Sequence, residues 1–208
     1  MKEKLLYAVP KRTLDILVSL TAMIVLSPVF LIVALRIKFD KKTSRIIYQQ
    51  ERVGLMGQPF KIYKFQTMVD NAEQILKSNP TLYQKFLDNG YKLPTKEDPR
   101  ITSYGKFLRR TSLDELPQFM NVLRGDMTII GPRPIVRDEL KEYGNQIDTF
   151  LSVKPGVFGL WQAEGRSNIH YPQRAEIELE YVKRASLSFD FYVLFKNVIM
   201  VFKQDGAF

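Results

Sequence analysis

The residues best suited to chemistry fall in one short stretch, Arg109-Arg110-Thr111-Ser112-Leu113-Asp114-Glu115-Leu116-Pro117-Gln118. Two carboxylates, Asp114 and Glu115, sit side by side just after two arginines. The rest of the chain offers few competitors. It has no cysteine and one histidine, His170. Disulfides, thiolate nucleophiles, zinc–thiolate sites and His-rich metal sites are therefore excluded. Acid, base or nucleophile chemistry falls mainly to carboxylates. A metal here would be hard and oxygen-ligated, with magnesium the natural example.

The acidic pair has two readings. Ser112-Leu113-Asp114-Glu115 matches a capping box, with Ser112 at the cap and Glu115 three residues on. Acidic residues in a first turn also suit the helix dipole. The chemical reading uses the same geometry. A helix N-terminus offers free N–H groups and positive potential to a phosphate, and an aspartate ionised among cations can attack phosphorus. Adjacent helical residues point about 100° apart, so one carboxylate can attack while the other holds a metal ion or handles a proton.

Phosphate ligands surround the pair in sequence. From Arg100 to Arg137 there are seven basic residues against three acidic ones. Arg133 is set between two prolines in Gly131-Pro132-Arg133-Pro134. Such a turn presents a guanidinium at low entropic cost, and a guanidinium fork matches phosphate oxygens. A surface turn with an incidental arginine is the plainer alternative. Trp161 reads as a core or membrane-interface anchor before a stacking platform, and His170 as structural.

These groups need elements to position them. A chain of 208 residues, 45% hydrophobic, is long enough for one domain with a real core. Its net charge of +9 exceeds that of most small soluble domains and implies an anionic partner. Ile16 to Leu35 is a run of twenty residues without a charge. A helix of that length could cross a hydrocarbon core of about 30 Å. Pro28 interrupts it, removing a backbone donor and clashing with the Ile24 carbonyl. Both flanks are basic (Lys11 and Arg12 before; Arg36, Lys38, Lys41 and Lys42 after), which favours keeping both on the cytoplasmic side. The residues alone leave a kinked span and a re-entrant hairpin equally open. In either case Ser27 can satisfy a backbone group that the break frees.

Beyond the run, Arg45–Gln50 and Phe60–Phe65 read as strands joined by a turn over Arg52–Pro59. Val69–Lys77 and Leu82–Asp88 read as helices broken near Asn79-Pro80, and Tyr91–Pro99 as a polar loop. Ser112–Leu123 reads as a helix closed by Gly125. Met127–Ile130 is a short apolar run, Asp138–Phe150 a helix, Lys154-Pro155-Gly156 a turn and Arg174–Arg184 a helix. Phe189–Phe202 fits an interfacial helix or a core helix equally well. No repeat or nucleic-acid-binding motif is present, so the basic charge is assigned to membrane or phosphorylated ligands.

Taken together, these motifs resemble the bacterial sugar transferases, the monotopic phosphoglycosyl transferases. The resemblance rests on Lys64-Phe65-Gln66-Thr67-Met68, Asp98-Pro99-Arg100-Ile101-Thr102, Phe107–Gln118, Asn121–Met127, Gly131–Pro134, Lys154-Pro155-Gly156 and Gly159-Leu160-Trp161-Gln162. It extends from Lys11 to Gly206, and the chain looks like the minimal catalytic module. The resemblance implies an α+β fold. A re-entrant membrane helix broken at Ser27-Pro28 would occupy residues 1–40. A mainly helical cytoplasmic catalytic domain with a small β-hairpin and interfacial helices would occupy 41–208. It implies transfer of a sugar phosphate from a UDP-sugar to polyprenyl phosphate, with UMP leaving, at the cytoplasmic face of the bacterial inner membrane. Asp114 would attack and carry a covalent phospho-sugar, while Glu115 assists. Both are the expected magnesium ligands. Lys64, Arg109 and Arg133 would bind phosphate or anchor the site. The implied partners are UDP-sugar, polyprenyl phosphate and inner-membrane lipid, with no nucleic acid and a homodimer left open. Glu178 stands where the family usually has aspartate, Gln66 where arginine is common, Glu164 where serine is, and Ala185 where tryptophan is. The rival reading is a non-enzymatic basic protein that binds a membrane surface.

Overall fold

A computed structural model describes residues 2–89, 91, 93–165 and 169–203, with side chains described between 6 and 200. Lys92 of the polar loop, Arg166 of the stretch after Trp161, the Phe202 side chain and Gly206 lie outside that description.

The chain begins with α1 (Lys2–Val25) and α2 (Ser27–Lys38), which meet at a bend of 62°. The break falls where proline predicts it. Pro28 cannot donate to the Ile24 carbonyl, and Ser27 Oγ donates to that carbonyl instead at 2.8 Å. No single helix among the described residues is long and apolar enough to cross a membrane, but the bent pair is when taken together. Neither helix is detached from the rest. Lys11 Nζ donates to Ile130 O and to Asp190, and Arg12 donates to the Val122 and Leu123 carbonyls. The buried Asp15 carboxylate takes the Thr128 hydroxyl and the Ile129 N–H. The basic residues before the apolar run therefore form bonds within the fold.

Strands β1 (Ile47–Val53) and β2 (Pro59–Phe65) form the expected antiparallel hairpin, with Ile47 opposite Phe65 and Val53 opposite Pro59. Helices α3 (Ala72–Ser78) and α4 (Pro80–Asp88) follow, and α4 is capped by Asn79 Oδ1 on the Leu82 N–H at 3.0 Å. Helix α5 (Ser103–Arg110) was not expected from the sequence. It is short, contains a glycine and is rich in charge. Leu108 anchors it, fully buried with Val33, Ile37 and Phe65 in one apolar cluster.

The expected helix over Ser112–Leu123 divides in two. Leu113–Glu115 is a single 3-10 turn, and α6 (Gln118–Arg124) begins after Pro117. Gly125 ends α6 in the left-handed region at φ 90, as expected. Strand β3 (Thr128–Ile130) pairs in parallel with β4 (Gly156–Phe158), a second small sheet that the sequence reading did not include. The helix expected over Asp138–Phe150 is a 3-10 stretch, Arg137–Gln146, kinked at Gly144, followed by α7 (Ile147–Leu151).

Helices α8 (Leu160–Glu164), α9 (Gln173–Arg184) and α10 (Leu187–Lys203) close the fold. The main core joins Ile62, Val122, Met127, Trp161, Tyr181 and Val193. Helix α10 packs one face into the core, as the core reading expected, and leaves an apolar aromatic face exposed. Phe189, Val193 and Asn197 are buried, while Phe191, Tyr192, Phe195 and Val198 are exposed. The fold is helix-rich and mixed with a small antiparallel hairpin, as expected.

Candidate active site

The dyad is reached by a sharp reversal at the end of α5. Ser112 lies at φ 56 in the left-handed region and makes no side-chain cap bond. The expected capping box is therefore absent. Its acidic member is engaged elsewhere: Glu115 Oε1 accepts from Lys64 Nζ at 2.7 Å and stands 3.5 Å from Arg133 Nη1. Two cations from distant parts of the chain thus converge on one carboxylate oxygen. An ion pair this sheltered outweighs a local bond to a turn amide.

Asn121 sets the register of that convergence. Its Oδ1 accepts the Tyr63 N–H at 2.9 Å, and its Nδ2 donates to Lys61 O at 2.7 Å. These bonds pin α6 to the edge of β2 and place the intervening strand beside the dyad. Lys64 is partly buried, and that desolvation pulls its pKa down despite the carboxylates beside it.

Asp114 is 8% exposed. Among the described residues no donor hydrogen-bonds its carboxylate. Burial pushes its pKa up to about 6; Lys64, Arg109 and Arg133 pull it down, and Glu115 pushes it up. The expectation that nearby cations would dominate this group is thus corrected: desolvation is the larger effect. With a pKa near 6 the carboxylate is still mainly ionised at pH 7. It is a poorly solvated anion with open lone pairs and cations in range, which is what a nucleophile toward an anionic phosphorus centre requires.

Arg109 approaches from α5. Its Nε donates to Thr67 Oγ1 at 3.1 Å, and burial lowers its pKa while Asp114 raises it. Gly105 makes this docking possible. A Cβ there would meet the Thr67 carbonyl oxygen at 2.1 Å, so only glycine lets α5 approach so closely.

The expected site residues Lys64, Arg109, Asp114, Glu115 and Arg133 thus form one cluster. Ser27 and Pro28 belong to the α1–α2 break and contribute no bond to it. A crevice too narrow to hold a water molecule runs beside Glu115, lined by Lys64, Arg133, Gln118 and Arg52. Arg52 was not singled out in the sequence. Its Nη1 donates to Pro134 O at 3.2 Å, and burial followed by the Arg133 charge lowers its pKa to about 10. Nothing near it in sequence signals that role, since it sits among the residues of a strand and turn. Trp161 is 2% exposed and belongs to the core, with Arg133 and Arg174 at 5.7 and 4.7 Å from its ring. His170 is exposed and does not support the core. Gln66 is buried and donates to Met68 O.

Among the described residues no three His, Cys, Asp or Glu side chains converge on one point. Asp114 and Glu115 supply two hard oxygen donors. That fits magnesium, which takes one or two carboxylates and completes its shell with substrate phosphates and water.

Comparison with known proteins assigns the chain to a family. Residues 6–204 match the bacterial sugar transferase family. The chain belongs to that family. It is 44% identical over 201 residues to an undecaprenyl-phosphate galactose phosphotransferase of Salmonella typhimurium, covering 95% of this chain and 41% of the relative. It is 41% identical to the exopolysaccharide production protein ExoY of Sinorhizobium fredii, covering 96% and 88%. It is 34% identical to an Escherichia coli UDP-glucose:undecaprenyl-phosphate glucose-1-phosphate transferase, covering 95% and 41%. The chain therefore spans about two fifths of two of these relatives and most of the third.

Proposed function

We propose that the chain is a phosphoglycosyl transferase that moves a sugar 1-phosphate from a UDP-sugar to undecaprenyl or another polyprenyl phosphate. The observation that carries this reading is a buried Asp114 carboxylate that has no hydrogen-bond donor among the described residues and feels the charges of Lys64, Arg109 and Arg133. Relatives named for undecaprenyl-phosphate and UDP-sugar chemistry support the same assignment.

The reaction runs in two displacements at one phosphorus. An Asp114 oxygen attacks the sugar-linked phosphorus, the bond to the bridging oxygen breaks, and UMP leaves with the electron pair. A phosphate oxygen of the polyprenyl acceptor then attacks the same phosphorus. The acyl phosphate bond breaks, Asp114 is restored, and a polyprenyl diphosphate sugar forms. Lys64, Arg109 and Arg133 offset charge on the phosphates in both steps. Glu115, held by Lys64 and Arg133, keeps these cations oriented. Magnesium held by Asp114 and Glu115 would screen the diphosphate and stabilise the leaving group.

The bent α1–α2 pair supports a re-entrant insertion from the cytoplasmic face of the inner membrane, with the exposed aromatic residues of α10 resting in the interface. The product chemistry suits initiation of exopolysaccharide, capsule or glycoconjugate assembly. The test is UMP release across a panel of UDP-sugars with undecaprenyl phosphate and magnesium. Lipid-dependent UMP release is expected. A protein that binds anionic vesicles but releases no UMP from any donor would be the rival, a basic membrane-surface binder.

A further inference from the structure

The Pro132-Arg133-Pro134 turn contains only one backbone N–H, that of Arg133, because proline has none. Glu178 of α9 takes it: Oε1 accepts the Arg133 N–H at 3.1 Å. Glu178 is 0% exposed, and its second oxygen, Oε2, has no hydrogen-bond partner among the described residues. A fully buried carboxylate with an unused oxygen is costly to keep. An exposed position on this helix would cost nothing, so its placement needs a reason.

The surrounding bonds supply one. The Pro132 carbonyl accepts the Gly156 N–H at 2.7 Å, and the Pro134 carbonyl accepts from Arg52 Nη1 at 3.2 Å. With Glu178 on the Arg133 N–H, the polar backbone is held from three elements. On the other side, the Arg133 guanidinium lies over the Trp161 ring and reaches Glu115 of the dyad. The Arg133 side chain is long and flexible, and its aim depends on where its backbone sits. We infer that Glu178 is a positioning residue for the reaction, fixing the Arg133 backbone so that its guanidinium meets the substrate phosphates beside the dyad. This rests on the phosphoglycosyl transferase reading above. It assigns to α9, far from the dyad in sequence, a share in phosphate recognition.

A double-mutant cycle with Glu178→Gln and Arg133→Ala, read as kcat/KM for UDP-sugar with lipid acceptor, tests this. The amide retains an acceptor but removes the charge from the bond. Burial raises the Glu178 pKa to about 7, so the cycle is read at about pH 8.5, where the carboxylate prevails; there Glu178→Gln is expected to lose about tenfold in kcat/KM, the difference between a charged and a neutral hydrogen bond. In the Arg133→Ala background the same change is expected to cost less than about twofold, because the group it positions is gone. Glu178→Asp, which shortens the arm, is the second variant. It is expected to show the same loss in wild type and the same silence beside Arg133→Ala. Equal losses in both backgrounds would make Glu178 merely structural and overturn the inference, as would wild-type activity in both variants. Loss of cooperative thermal unfolding in both would make it a folding residue, which also overturns it. Absence of UMP release from the wild-type protein would instead sink the underlying reading.

Discussion

Lys64 donates from Nζ to Glu115 Oε1 at 2.7 Å, joining strand β2 to the second carboxylate of the dyad. The bond divides labour between neighbouring acids. Glu115 is held by Lys64 and Arg133, while Asp114 beside it has no donor among the described residues. Two adjacent carboxylates thus differ in availability because of the strand that Asn121 places next to them.

Lys64→Met should therefore impair both stability and turnover. It removes a charged hydrogen bond from a largely sheltered pair and leaves Arg133 close to a less compensated Glu115 charge. A loss of about 2 kcal/mol is expected in chemical denaturation. UMP release should fall at least tenfold as Arg133 is drawn from phosphate toward Glu115.

The raised pKa of Asp114 has opposite consequences for rate and stability. The attacking form is the carboxylate, so kcat/KM should fall as pH drops through about 6. Stability runs the other way. The folded pKa lies above the ordinary value of 3.8, so the native state binds the extra proton between those limits. The stabilising proton is fully present below the unfolded value and is lost as pH rises through about 6. Asp114→Asn should then melt higher than wild type at pH 7.5, by up to about 3 kcal/mol, while losing turnover. The difference should vanish near pH 4. A stability difference between variant and wild type that is the same at both pH values would contradict this account of the burial.

Gly105→Ala tests the docking of α5. The new methyl would meet the Thr67 carbonyl at 2.1 Å, so the helix must shift. A cost of about 1–3 kcal/mol is expected from overpacking. Activity should fall further than stability explains, because Arg109 moves away from Thr67 and from Asp114. Comparing melting temperature with kcat/KM in the same preparation separates the two effects.

The break at Ser27-Pro28 predicts that both ends of the bent pair face the same side of the membrane. Single cysteines at Leu6 and Lys42, both exposed positions, should be labelled from the same side in oriented vesicles. Pro28→Leu restores the missing donor and should allow a straight span, moving the Leu6 label to the opposite side. Labelling from opposite sides in the wild type would refute the re-entrant arrangement.

Local pattern carried the elements whose physics is local. The hairpin was legible because Ile47–Val53 and Pro59–Phe65 pair across a short turn, and the helix break because proline lacks a donor. The dyad was legible from its residue types. Ser112 was misread because a capping pattern registers spacing within four residues, whereas the group that claims Glu115 arrives from Lys64. The parallel pair of β3 and β4 was missed because each strand is only three residues long. Glu178 was legible only as a departure from the family's usual aspartate, with no role attached: on an amphipathic helix it looks like one more surface acid. Only the packing of α9 against the Pro-Arg-Pro turn makes it a buried acceptor.

The central claim is that Asp114 attacks phosphorus. Its most direct test is incubation with a UDP-sugar labelled in the sugar, with magnesium and without lipid acceptor, followed by denaturation and counting of protein-bound label. The account predicts label approaching one sugar per chain, lost in Asp114→Asn and discharged when undecaprenyl phosphate is added. Efficient lipid-dependent UMP release with no protein-bound label, or label that persists in Asp114→Asn, would contradict it.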